Sequence, residues 1–166
     1  MKSALLITVT LFFALSTLEL INSSSSNDEP EINWLTLEEA QVQTDNDGKP
    51  LFVFVEAEWC GTCKQMMNTV FPDPEISTLL TENYHPVLID LDSQKKVHFN
   101  GKEMTERNFA RTMQVQQTPT MIFIDNNGEV LGRQPGFMNR DELKILLLYV
   151  VSDQFGEVPF SEFQMD

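Results

Sequence analysis

LFVFVEAEWCGTCKQM, residues 51–66, holds both cysteines of the 166-residue chain, Cys60 and Cys63, directly behind an apolar run. The run Leu51–Ala57 follows a turn-like DNDGKP at 45–50 and is too short for a helix, so it reads as a central strand covered on both faces. A helix is expected to begin at the cysteine pair and to run through KQMMNTVF until Pro72 and Pro74 interrupt it. Such a strand-to-helix step places Cys60 among backbone N–H groups that have no partner inside the helix. Those groups and the helix dipole favour a thiolate over a thiol. A thiolate attacks disulfides, and Cys63, one turn on, can then displace the substrate and close the internal bond. Trp59 flanks the pair, either as an apolar wall beside an accessible sulfur or as ordinary core or rim packing.

Competing uses of the pair are weaker. A disulfide closing so short a loop removes little chain entropy and is a poor staple. Structural zinc takes four ligands, and the two histidines, His85 and His98, lack finger-like spacing. Haem attachment needs His directly after the second cysteine, where Lys64 stands. Redox exchange remains the leading reading.

Outward from the motif, Thr36 is a plausible N-cap for a short helix carrying Trp34, Leu37, Ala40 and Val42 on one face. EISTLLTENY reads as a continued or second helix, HPVLIDLD as another strand, and 93–102 as a polar loop or insertion. TERNFARTMQV has helical spacing with Thr105 as cap; Pro119 opens the apolar strand of TPTMIFI and a cis bond there is possible. Asn126-Asn127-Gly128 turns the chain into a second strand from Glu129, and NRDELKILLLYVV closes with an amphipathic helix and a polar tail. Strands separated by helices imply right-handed crossovers, hence an α/β fold: a mixed central sheet with helices on both faces.

Composition narrows the partners. With 42% hydrophobic residues the chain can pack one core, and 11 basic against 25 acidic residues leave a net charge of −14. An acidic surface disfavours nucleic acid and anionic membranes. Lys2 followed by the apolar stretch from Ala4 to Leu15 reads as a signal peptide over 1–22, cut near Asn22 to Ser26. A retained membrane anchor is the competing reading. Residues 23–31 then form a disordered leader, and 32–166 one domain.

WCGTCK at 59–64, QQTPT at 116–120, the hairpin after it and Gly136 before the last helix together resemble the thioredoxin superfamily. INWLTLEEA, GKPLFVFVEAEWCGTCKQM, VFPDPEI, QVQQTPTMIFIDNNGEVLGRQPGF and LLYVVSDQFGEVPFSEF look most similar to its exported branch, which includes the C-terminal domain of the DsbD electron carrier and SoxW-type proteins. The resemblance implies a thioredoxin fold with Cys60 as nucleophile, Cys63 as resolving thiol and Pro119 cis against the disulfide. Thr118 would offer backbone groups to an extended substrate strand, and Gly61 and Thr62 would tune the potential. It implies a monomeric enzyme in the bacterial periplasm with no cofactor or metal beyond the cysteines. That enzyme would take electrons from a membrane donor of DsbD type and reduce disulfides in exported proteins. An oxidase or isomerase, or a peptide-binding module with dispensable cysteines, are the alternatives. Two departures stand out. Phe54 occupies the place, six residues before Cys60, where such reductases often bury an acid, and Thr62 replaces a frequent proline. Glu56 lies on the same side of the strand as Phe54. It is either a substitute general base for Cys63 or a solvated rim residue.

Overall fold

The computed structural model describes residues 31–164, so the expected signal peptide and nearly all of the leader lie outside the described residues. Thr36 caps α1, Leu37–Asp47, in a reciprocal capping box with Glu39. The helix runs two or three residues further than its turn-like ending implied, to Gly48, whose φ of 77° suits a glycine. Its buried stripe is Leu37, Ala40 and Thr44; Val42, expected on that face, is 61% exposed because it falls on the opposite side of this 3-and-4 spacing.

β1, Leu51–Glu56, is central as expected, pairing parallel with β2, His85–Asp90, and antiparallel with β5, Thr120–Ile124. β6, Val130–Pro135, completes the order β2-β1-β5-β6. Side chains alternate between two cores. Phe52, Phe54, Met121 and Phe123 face α2, Gly61–Thr69, α3, Pro74–Asn83, and α5, Arg140–Val151. Leu51, Val53, Val55, Ile122 and Ile124 face α1 and α4, Glu106–Thr112. The first core is aromatic: Phe52 lies 5.6 Å from Phe123, 6.1 Å from Phe71 and 6.2 Å from Tyr84, ring centre to ring centre. Pro72 and Pro74 do divide the helical stretch, and α3 starts with Asp73 as N-cap and Pro74 in its first turn.

Two further expectations fail. The segment read as a polar loop holds a hairpin, β3, Lys96–Phe99, and β4, Lys102–Thr105, turning at Asn100 and Gly101 with φ of 48° and 72°. Val97 and Phe99 anchor it in the second core. The C-terminal tail is not merely polar: Phe155, Phe160 and Phe163 surround Tyr149 at 5.2–5.3 Å, and the Tyr149 hydroxyl donates to the Val158 carbonyl at 2.8 Å.

Beside β2, Leu35 forms a parallel bridge with Val87, its N–H donating to the Pro86 carbonyl at 2.8 Å. On β6, Arg133 turns its Nε onto the Met113 carbonyl at 2.7 Å.

Candidate redox site

Cys60 is the N-cap of α2, and its Sγ accepts the Cys63 backbone N–H at 3.1 Å. The two cysteines form a disulfide with a Cα–Cα distance of 5.2 Å. The helix start thus aims an N–H at the sulfur that the sequence marks as the nucleophile. Cys60 keeps 4% of its surface and Cys63 none, so the outer sulfur is the one a partner can reach. Gly61 faces open space, and the Thr62 hydroxyl stands 3.6 Å from the Cys60 sulfur.

Trp59 is 67% exposed, which places it on the rim. Its indole N–H donates to Asp92 Oδ2 at 2.7 Å. Arg107 Nη2 in turn donates to the Asp92 carbonyl at 3.1 Å and approaches Oδ1 at 3.4 Å. Sequence reading missed Asp92 and Arg107, and no local pattern could have found them: the contact joins residues far apart in the chain.

The Thr118–Pro119 bond is cis. The Pro119 carbonyl accepts the Gly136 N–H at 2.8 Å, and Gly136 has a φ of 93° that only glycine adopts readily. Met121 and Met138, just beyond these two residues, share one core cluster with Cys60 and Cys63. The Thr118 hydroxyl is buried without a hydrogen-bond partner.

Phe54 is wholly buried in the aromatic core, its ring 4.8 Å from Phe71. Glu56 ends β1 opposite Asp90, half-buried in a cleft with Trp34, Lys95 and Glu106. Burial first, and the Asp90 charge second, push its carboxyl above the ordinary range, with Lys64 pulling back. A carboxyl raised in the fold binds its proton more tightly there than in the unfolded chain, so its ionisation costs stability as pH rises past the ordinary value of 4.5. Glu56→Gln is therefore expected to stabilise the protein at neutral pH by less than about 1 kcal/mol, since solvent screens a half-exposed group. Urea unfolding at pH 7 and pH 4 checks this: the gain should vanish at the acid end. His85 and His98 are engaged elsewhere, with Asp47 at 2.9 Å and Glu38 at 3.2 Å.

The model for the thioredoxin-like domain matches residues 37–151, most of the chain and all of this site. The chain belongs to the thioredoxin-like family. Among its curated relatives it is 28% identical over 109 residues to the thiol:disulfide interchange protein DsbD of Photorhabdus laumondii, covering 64% of this chain and 17% of that protein. It is 32% identical over 129 residues to the protein disulfide isomerase-like 1-1 of Arabidopsis thaliana, covering 75% of this chain and 23% of that one. The chain thus spans less than a quarter of either relative. Among solved structures, a thioredoxin from Thermus thermophilus superposes with a TM-score of 0.60 at 27% identity, covering 76% of this chain and 91% of the other. For this thioredoxin-like chain, no helix among the described residues is long and apolar enough to cross a membrane.

Proposed function

We propose that this thioredoxin-like protein is an exported thiol-disulfide oxidoreductase that reduces disulfides in exported proteins, recharged by a membrane electron donor of DsbD type. The observation that carries the reading is the Cys60–Cys63 disulfide at the N-cap of α2, with the Cys63 N–H on the outer sulfur. In the reduced protein the Cys60 thiolate attacks one sulfur of a substrate disulfide. A mixed disulfide forms, and the other substrate sulfur leaves as a thiolate and takes up a proton. Cys63 then gives up its proton and attacks the Cys60 sulfur. The second substrate thiol is released, and the protein pair has passed two electrons to the substrate. Phe54 leaves this proton transfer without a buried acid at that position. Glu56, half-buried with a raised carboxyl, is the acid the same strand offers. Thr118 and Pro119 form the rim along which a substrate strand lies, and Gly61 and Thr62 set the electrostatics between the sulfurs.

The kinship with DsbD supports the reductive direction. Equilibrating the purified protein with thiol buffers tests it. A potential near the thioredoxin end of the scale, about −270 mV, is expected, and one toward about −120 mV would assign the protein to disulfide formation instead.

A further inference from the structure

Arg133 stands on β6 opposite Ile122, and its Nε donates to the Met113 carbonyl at the end of α4. That bond fixes the guanidinium plane and leaves both terminal nitrogens without a hydrogen-bond partner among the described residues. Arg133 also makes no ion pair among the described residues, in a chain with 25 acidic side chains. It lines a cleft of about 160 Å³ with Gln114, Gln116, Gln117, Thr120 and Pro135, and none of the lining residues is acidic. Gln114 and Gln117 are bonded here only through backbone atoms: the Gln114 N–H donates to the Arg111 carbonyl at 3.0 Å, and the Gln117 carbonyl accepts the Thr120 hydroxyl at 2.8 Å. Their carboxamides therefore stay free to turn N–H donors into the cleft. Gln114 follows the α4 C-cap with a φ of 58°, a left-handed position where glycine or asparagine is usual. Glutamine is the costlier residue there, and what it adds is a side chain on this cleft. The cleft adjoins the substrate rim: Gln117 directly precedes Thr118, and Pro135 precedes the Gly136 whose N–H meets the Pro119 carbonyl.

Resting on the redox reading above, we propose that this cleft is a carboxylate subsite, in which the terminal nitrogens of Arg133 take an Asp or Glu side chain of the substrate strand lying along Thr118 and Pro119. The fork of two N–H groups matches the two oxygens of a carboxylate, and a neutral amide offers it only one. The free glutamine carboxamides add donors at its flanks. With a net charge of −14, the field of the whole chain works against an acidic substrate. A preference for one has to arise locally, at a site built like this.

The test uses short peptides with one central cysteine, carried as its mixed disulfide with mercaptoethanol, and a single Glu or Gln placed at each flanking position in turn. For the reduced wild type, kcat/KM is compared between each Glu peptide and its Gln twin. At one flanking position the Glu peptide is expected to be preferred about tenfold, the size of one charge-assisted hydrogen bond. The preference should fade in about 0.5 M sodium chloride. Arg133→Gln should abolish it, and Arg133→Lys should keep only part of it, because a point charge lacks the fork. Lys102→Gln removes an exposed charge elsewhere on the surface and should leave the ratio as in wild type. Equal rates for Glu and Gln at every position in the wild type, a result that depends on no variant folding, overturn the proposal. So does a preference that survives in Arg133→Gln or is lost equally in Lys102→Gln. A wild type that reduces neither member of any pair overturns the redox reading and this proposal with it.

Discussion

Cys60→Ser is expected to reduce insulin more than about a hundredfold more slowly than wild type, down to the rate of the reductant alone, whereas Cys63→Ser should stall after one step and accumulate mixed disulfides. The asymmetry follows from burial and from the helix start. Cys60 is the N-cap, receives an N–H on its sulfur and keeps a small exposed surface, while Cys63 lies one turn inside and is fully buried. A serine oxygen at position 60 cannot form the sulfur–sulfur bond that the exchange requires. A serine at 63 leaves the attacking sulfur intact but removes the group that releases the product. The check is insulin turbidity together with non-reducing gels of each variant incubated with the substrate. Retained activity in Cys60→Ser, or equal trapping by both variants, would remove the assigned roles.

Phe52→Ala should destabilise the domain by about 4 kcal/mol, within the range for emptying a buried phenylalanine site. Phe52 is fully buried near the start of β1, with rings of Trp34, Phe71, Tyr84 and Phe123 within 6.5 Å. Its removal leaves a cavity walled by stiff aromatic side chains, which close poorly around an alanine, and it forfeits several edge-to-face contacts. Against a total stability of about 5–15 kcal/mol the loss is severe, and the melting temperature should fall by more than about 10 °C. Urea unfolding of wild type and variant measures it directly. A loss below about 1.5 kcal/mol would mean that this aromatic cluster is not where the fold keeps its stability.

The redox centre was legible because its signals are local. A short apolar run, a Cys-x-x-Cys at a helix start and a proline before another apolar run each specify backbone geometry within a few residues. All are found as read: β1, the cap at Cys60 and the cis bond at Pro119. The β3–β4 hairpin also carried a local signal, the Asn100-Gly101 pair, which suits a two-residue turn with positive φ at both positions. It was hidden by the lysines and glutamate that flank it and leave Val97, Phe99 and Met104 as the apolar markers. Other features had no local signal. Val42 is apolar but lies on the solvent side of α1, and the phenylalanines of the tail become a cluster only when the chain folds back on Tyr149. The Trp59–Asp92–Arg107 chain likewise exists only in three dimensions.

The way the two outer strands finish the sheet bears on how the molecule behaves in a crowded solution. An open strand offers a row of unpaired amides to any other extended chain, and such a row seeds fibrous association. Here the segment around Leu35 already takes up hydrogen bonding beside β2. β6 carries Gly132, Arg133 and a terminal Pro135, residues that interrupt a regular ladder by flexibility, charge and a missing N–H respectively. Both flanks of the sheet therefore discourage extended segments, or further copies of the chain, from adding to it.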